Sequence, residues 1–373
     1  MLRFAERTGL TSAERERRYL WTDAFAVCNF LGLARATGDA RYAELALRLV
    51  DRVHHTLGRR RPDDPHPGWI SGLGAHEGEE HPTRGGLRIG KELPERRPEQ
   101  PFDERLEWER DGQYFHYLTQ WMHALDQVTR STGNPRFNLW GRELAETAHR
   151  AFVYPVPGGA RRRRYWKMSI DLSRPLVGSM GQHDALDGYL ACAELRSTAS
   201  GSPPPTAGPT LDGEASDFAS MIDPGSLATA DPLGVGGLLV DAYRLDRLVR
   251  RGGTSDGGMS RVLLGAALAG LDELARRGEL RGPAERRLAF RELGLAIGLE
   301  AIARMRHAGA DGPGSEGRAL LDALGRYDGL RTDIVAFWLE PDHQRTASFA
   351  EHRDINEVML ATALAPEGYL DAP

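Results

Sequence analysis

Thr37-Gly38-Asp39 and, 95 positions later, Thr132-Gly133-Asn134 are the two short stretches on which the reading of the fold turns. Each combines a glycine, free to take the left-handed conformation that closes a helix, with an Asx residue able to cap the next one. Apolar residues before the first turn (Leu20, Ala24, Val27, Leu31, Ala34) recur at helical spacing over Tyr19 to Ala36. After it, Leu45, Leu49 and Val53 mark one stripe of a second helix, Arg41 to Leu57. Around the second turn Arg136-Phe137, Leu144 and His149 stand where Arg41-Tyr42, Leu49 and His54 stood. The unit is a repeated helical hairpin, and internal repetition is the strongest architectural signal in the chain.

Further helices follow less regularly. Spacing predicts them over 183–195, 233–251, 259–277, 284–307, 316–327 and 355–365, ten or eleven in all. No β-hairpin or βαβ pattern is evident, though 69–73, 86–89 and 165–172 suit short strands in loops. Turns inside hairpins are short, whereas 58–110, 153–182 and 196–231 are long connections, the last holding a Ser/Pro/Gly-rich linker over 197–213. Long ordered loops in a compact domain usually serve function. An open solenoid has little use for them. The expected fold is therefore all-α, an (α/α)6 toroid of hairpins in a single domain over 1–373, with its long loops at one end.

The 373 residues carry a net charge of -5, so nothing points to nucleic acid or an anionic membrane as partner. The basic run Arg161 to Lys167, next to Tyr165 and Trp166, reads as a solvated loop in a net acidic chain. Cys28 and Cys192 sit in apolar helical contexts and read as small buried hydrophobes. The N-terminal residues lack the apolar core of a signal peptide and no apolar run reaches about 20 residues, so a cytoplasmic location is expected.

Four stretches carry candidate chemistry. In Glu107 to His123, EWERDGQYFHYLTQWMH, two carboxylates (Glu107, Asp111) lead into a helix expected to start near Asp111. Gln113, His116, Gln120 and His123 then share a polar face beside Tyr117. In MGQHDALDG, His183, Asp184 and Asp187 fall near one helix face; a carboxylate beside an imidazole makes a proton donor or acceptor. The simpler reading is first-turn acids complementing the helix dipole. In EHRDINE, His352, Arg353 and Asn356 precede an apolar helix. The loop from Trp69 to Lys91, with Arg88, is a lid candidate; its His and Glu residues match no metal-ligand spacing, and no metal or other cofactor is expected. Trp21, Trp166, Lys167, Trp338 and His343 complete the candidate binding residues. GxSxG, GxGxxG and Walker patterns give no support for a serine nucleophile, a dinucleotide or a phosphate loop.

The TGD and TGN turns, DGQYFHYLTQW, MGQHDALDGYL and EHRDINEVMLA together resemble the six-hairpin (α/α)6-barrel superfamily, which includes glycoside hydrolases and N-acylglucosamine 2-epimerase-like isomerases. The resemblance spans most of the chain and implies a pocket at one end of the barrel, lined by aromatics and acid–base residues. It implies a carbohydrate-active enzyme, glycoside hydrolase-like, with Glu107, Asp111, Asp184 and Asp187 as candidate carboxylates. A sugar epimerase with His183 and His352 as paired bases is the alternative, and a non-catalytic helical-repeat binding protein is the third reading. A small-molecule or oligosaccharide ligand is the expected partner; the sequence leaves oligomeric state open.

Overall fold

The computed structural model describes residues 1–158, 162–178, 181–201, 207–255, 258–308 and 314–371. The chain divides into two units, Leu2–Ile222 and Asp223–Ala372, and both are built of helices. Arg161, Met180 and part of the 197–213 linker lie outside the described residues.

The amino-terminal unit contains α1 (Leu20–Thr37), α2 (Ala40–Leu57), α3 (Phe115–Thr132), α4 (Pro135–Phe152), α5 (Asp184–Ser200) and α6 (Asp212–Met221). Helix α1 packs on α2 and α3, α3 on α4 and α5, and α5 on α6, giving consecutive hairpins. The repeat is realised to the residue: both ends of α3 and both ends of α4 lie one repeat length beyond those of α1 and α2. Gly38 and Gly133 close α1 and α3 at φ 70° and 71°. Asp39 and Asn134 cap the following helices by accepting from the Arg41 and Arg136 backbone N–H. Thr37 and Thr132 hydroxyls each donate back to a carbonyl four residues earlier.

Two expectations need correction here. Helix α3 starts at Phe115, not near Asp111, because Gln113–Tyr114 is drawn out as a strand, β1. The other short strands are β2 (Val153–Pro155), β3 (Arg162–Arg164), β4 (Lys167–Met168) and β5 (Pro175–Val177). Strand β1 pairs antiparallel with β4, Gln113 opposite Met168, and β4 with β5; β2 pairs with β3. The connection read as a loop over 196–231 also holds a helix, α6, beginning directly after the Pro/Gly-rich segment that masked it.

The carboxy-terminal unit contains α7 (Pro232–Arg250), α8 (Met259–Arg277), α9 (Ala289–His307), α10 (Gly314–Leu324), α11 (Asp328–Leu339) and α12 (Arg353–Leu364). Helix α11 escaped the sequence reading because only Ile334 and Trp338, one turn apart, are buried along it. Helices α7 and α9 pack backbone to backbone: a Cβ on Gly236 would lie 2.3 Å from the Gly294 carbonyl oxygen. The Gly234-Val-Gly-Gly run thus serves close helix packing. Among the described residues, each unit holds six helices of ten or more residues. No described helix is long and apolar enough to cross a membrane.

Candidate functional site

The stretch from Glu107 to His123 is split in two by its surroundings. Its first half is locked into a buried ionic lattice. Asp111 is completely buried. One carboxylate oxygen accepts from Arg88 at 2.5 Å and Arg61 at 3.3 Å. The other accepts the backbone N–H of Gly90 and Gly112, both at 3.0 Å. Arg88 in turn donates to the carbonyls of Thr56 and Arg59. Glu107, also buried, receives Lys167 Nζ at 3.0 Å and Arg96 Nε at 2.9 Å. Lys167 spends its remaining donors on the carbonyls of Glu107 and Arg110. Burial pushes its ammonium below the ordinary lysine range, against the pull of Glu107. Gln113 staples two loops: its amide nitrogen donates to Gly85 and Ile170 carbonyls, and its oxygen accepts the Leu87 N–H. These groups tie the loops over 58–110 and 153–182 onto the start of α3. Taking away one partner of such a pair strands the other charge without water, at about 3–5 kcal/mol.

The second half faces α5. His116, half-buried one residue into α3, has Nδ1 2.8 Å from Asp187 Oδ2. Its Nε2 receives the Trp21 indole N–H at 3.3 Å. An indole nitrogen only donates. The imidazole lone pair therefore sits on Nε2 and the ring proton on Nδ1, given to Asp187. One heptad further along both helices, His123 Nδ1 lies 3.1 Å from Glu194 Oε2, wholly inside the unit. The two rungs show that α3 and α5 run parallel with matching polar faces. Trp21 and His116 occupy equivalent positions of the two hairpins, so one repeat orients the other's imidazole.

Asp184 is buried at the first position of α5 and pairs with Arg164 of β3, whose guanidinium also donates to the Gly181 carbonyl and lies 4.7 Å over the Phe115 ring. His183, half-buried, precedes it at the N-cap, its carbonyl accepting the Asp187 N–H. One donor atom each from His116, Asp184 and Asp187 falls within 4.8 Å of the others. Such a set suits a divalent cation in principle. Here each carboxylate is already engaged, by a guanidinium and by an imidazole N–H, and the cluster stands as a hydrogen-bonded network.

Aromatic rings continue outward from His116. Tyr117 and Tyr19 share a hydroxyl–hydroxyl bond of 2.6 Å. Burial, followed by Tyr117, holds the Tyr19 phenol well above its ordinary range, so it remains a neutral donor. Tyr117 meets Tyr114 edge-on at 5.2 Å, and Tyr114 stacks on Trp166 at 5.6 Å. Of these, sequence reasoning named Tyr117 and Trp166 and missed Tyr19 and Tyr114. It also missed Arg164 and Glu194; the seven-residue step shared by 116/123 and 187/194 was the available signal for Glu194.

Trp69 is buried, stacked under Arg59 at 4.6 Å. In the carboxy-terminal unit, Trp338 has no exposed surface and gives its indole N–H to Glu292, itself paired with Arg287. His343 stacks on Phe337, ring centroids 3.8 Å apart. Asn356 is fully buried and bridges the Phe290 N–H to the Phe349 carbonyl. His352, at the N-cap of α12, and Arg353 are exposed, the His352 ring against Phe290.

No protein-family model matches the sequence, and no curated protein matches it. Among solved structures, the chain is similar to cellobiose 2-epimerase from Spirochaeta thermophila, at 12% identity over 93% of this chain and 87% of that one, TM-score 0.48. It is similar to a sugar epimerase from a ruminal bacterium, at 10% identity over 96% and 90%, TM-score 0.49. Cellobiose 2-epimerase from Bacillus thermoamylovorans gives 8% identity over 93% and 88%, TM-score 0.47. A likeness of this degree says nothing of the reaction this chain performs.

Proposed function

We propose that the chain is a carbohydrate-active enzyme working by acid–base chemistry at the start of α3 and α5, on a saccharide or glycoconjugate. The observation that carries this is the Asp187–His116 pair. Asp187 fixes the imidazole tautomer and stabilises the imidazolium that forms when Nε2 takes a proton. The 3.3 Å contact from Trp21 is long, and a substrate hydroxyl competes well for the same lone pair. Tyr19 and Tyr117 offer hydroxyl groups next to it.

Of the two chemistries considered, the pair favours proton transfer at a sugar carbon, as in an epimerase or isomerase, over glycoside hydrolysis. A hydrolase needs a carboxylic acid beside the scissile bond and a second carboxylate facing it. Glu107, Asp111, Asp184 and Asp187 are all engaged by cationic or N–H donors. His183, at the N-cap of the helix that carries Asp187, is assigned as the second proton-transfer group.

The test is proton NMR of a panel of reducing sugars in heavy water. The expected outcome is deuterium entering the carbon next to the carbonyl with wild type, and a loss of about 10²–10⁴-fold in that rate with His116→Ala. Release of new reducing ends with no carbon-bound deuterium would point to hydrolysis instead. Equal rates for wild type and His116→Ala would remove His116 from the site.

A further inference from the structure

Exposed apolar side chains gather on one short segment of the amino-terminal unit. Leu93, Phe102, Leu106 and Trp108, between 41% and 57% exposed, are four of the nine large exposed hydrophobics described, and all fall within 93–108. Trp108 is the one joined to the candidate site. It lies on the short helix Glu104–Glu109, which the Glu107–Lys167 pair fastens down. Its ring meets Trp166 at 4.6 Å, interplanar angle 77°, and Tyr114 at 6.1 Å. From Tyr114 the aromatic contacts continue through Tyr117 to His116, ring centroids 5.2 and 6.3 Å apart.

We infer that this ribbon is an extended saccharide subsite, which makes the substrate an oligosaccharide or glycoconjugate whose outer rings stack on Trp108 while the reacting ring lies at His116. The inference rests on the function proposed above. Three features favour it. Two of the four exposed apolar residues, Phe102 and Trp108, are aromatic, and a sugar presents an apolar C–H face to such a ring. Its edges are lined with hydrogen-bonding and charged groups: Lys91 near Glu109 and over the Tyr19 ring, and Arg110 bonded to Gln100. Such edge groups suit the ring of hydroxyls on a sugar. Trp108 is also pre-positioned, since Glu107 beside it is held from two sides by Lys167 and Arg96, so stacking costs little ordering entropy.

The experiment is a titration of intrinsic tryptophan fluorescence in the full chain, with a panel of monosaccharides and their α- and β-linked oligomers up to the tetrasaccharide. Binding is expected to tighten with length, about tenfold from monosaccharide to tetrasaccharide. With Trp108→Ala the tetrasaccharide then binds no better than the monosaccharide, while Trp108→Phe keeps most of the gain. Where turnover is measurable, Trp108→Ala raises KM for the longer substrate more than it lowers kcat. Affinity independent of length, or a gain that persists in Trp108→Ala, overturns the subsite and leaves the proposed function standing. A monomer–dimer shift by sedimentation in Trp108→Ala, with length dependence intact, also overturns it and assigns the patch to self-association. Binding of no saccharide of any length removes both readings.

Discussion

Asp111 and Asp187 are both buried aspartates at the loop end of the amino-terminal unit, and they are used oppositely. Asp111 is ringed by two guanidiniums and several backbone N–H groups, with no surface left. Asp187 holds an imidazole, His116, that is one-third exposed and only five residues beyond Asp111 in sequence, on the far side of the β1 strand. The first arrangement saturates a charge and fixes loops. The second leaves a nitrogen lone pair facing a replaceable donor. Density of titratable groups in the sequence is therefore a poor guide to where chemistry occurs; what matters is whether the neighbours consume every lone pair.

The contrast can be broken most directly at Asp187. Asp187→Asn is expected to lower turnover by about 10²–10⁴-fold with a small change in melting temperature, because the imidazole loses its tautomer lock. If kcat is unchanged while the protein melts early, Asp187 belongs with Asp111 as scaffold. The reciprocal change is Lys167→Met, expected to cost about 3–5 kcal/mol of unfolding free energy by stranding Glu107. Urea denaturation measures it, and Glu107→Gln in the same chain should recover part of the loss. A Lys167→Met protein as stable as wild type would show that the lattice is not what holds the loops.

A smaller effect sharpens the comparison of the histidines. His54 is fully buried, accepts the Trp121 indole N–H at 3.1 Å, and lies against the Trp140 ring. Burial pushes its pKa down to about 3. The unfolded chain, with an ordinary value near 6.5, binds the proton over that interval and the folded chain does not. Stability should therefore fall on acidification below about pH 6.5, with His54 contributing about 1.4 kcal/mol per pH unit. His54→Gln should flatten that slope in thermal melts between pH 6.5 and 4.5; an identical slope would show that other groups account for it. Smallest of all, Gly38→Ala and Gly133→Ala should each cost about 1 kcal/mol, since both turns require a left-handed residue. Unequal costs would mean that the two hairpins are not energetically equivalent.

Parts of this were legible beforehand for definite reasons. The TGD and TGN turns are local: capping and the left-handed glycine act within four residues, so both turns fall where the sequence puts them and the first hairpin's ends shift by at most one residue. His116, Tyr117 and Trp21 were named from a polar stripe and aromatic content, and the structure joins all three. The start of α3 was misread because Asp111 looks like an N-cap, while its carboxylate is claimed by Arg88 and Arg61 from the preceding loop. Trp338 was named for its place before a loop and Asn356 for standing one turn from His352, and both lie in the interior of the carboxy-terminal unit.

The sequence by itself determined the helical hairpins and their repeat, because helix periodicity, caps and turns are short-range. Only the tertiary structure decided which charged groups neutralise one another and which imidazole keeps a usable lone pair. Those outcomes depend on pairings such as Lys167 with Glu107 and His116 with Asp187, between residues 60 and 71 positions apart, where burial strengthens each pairing and penalises any group left out.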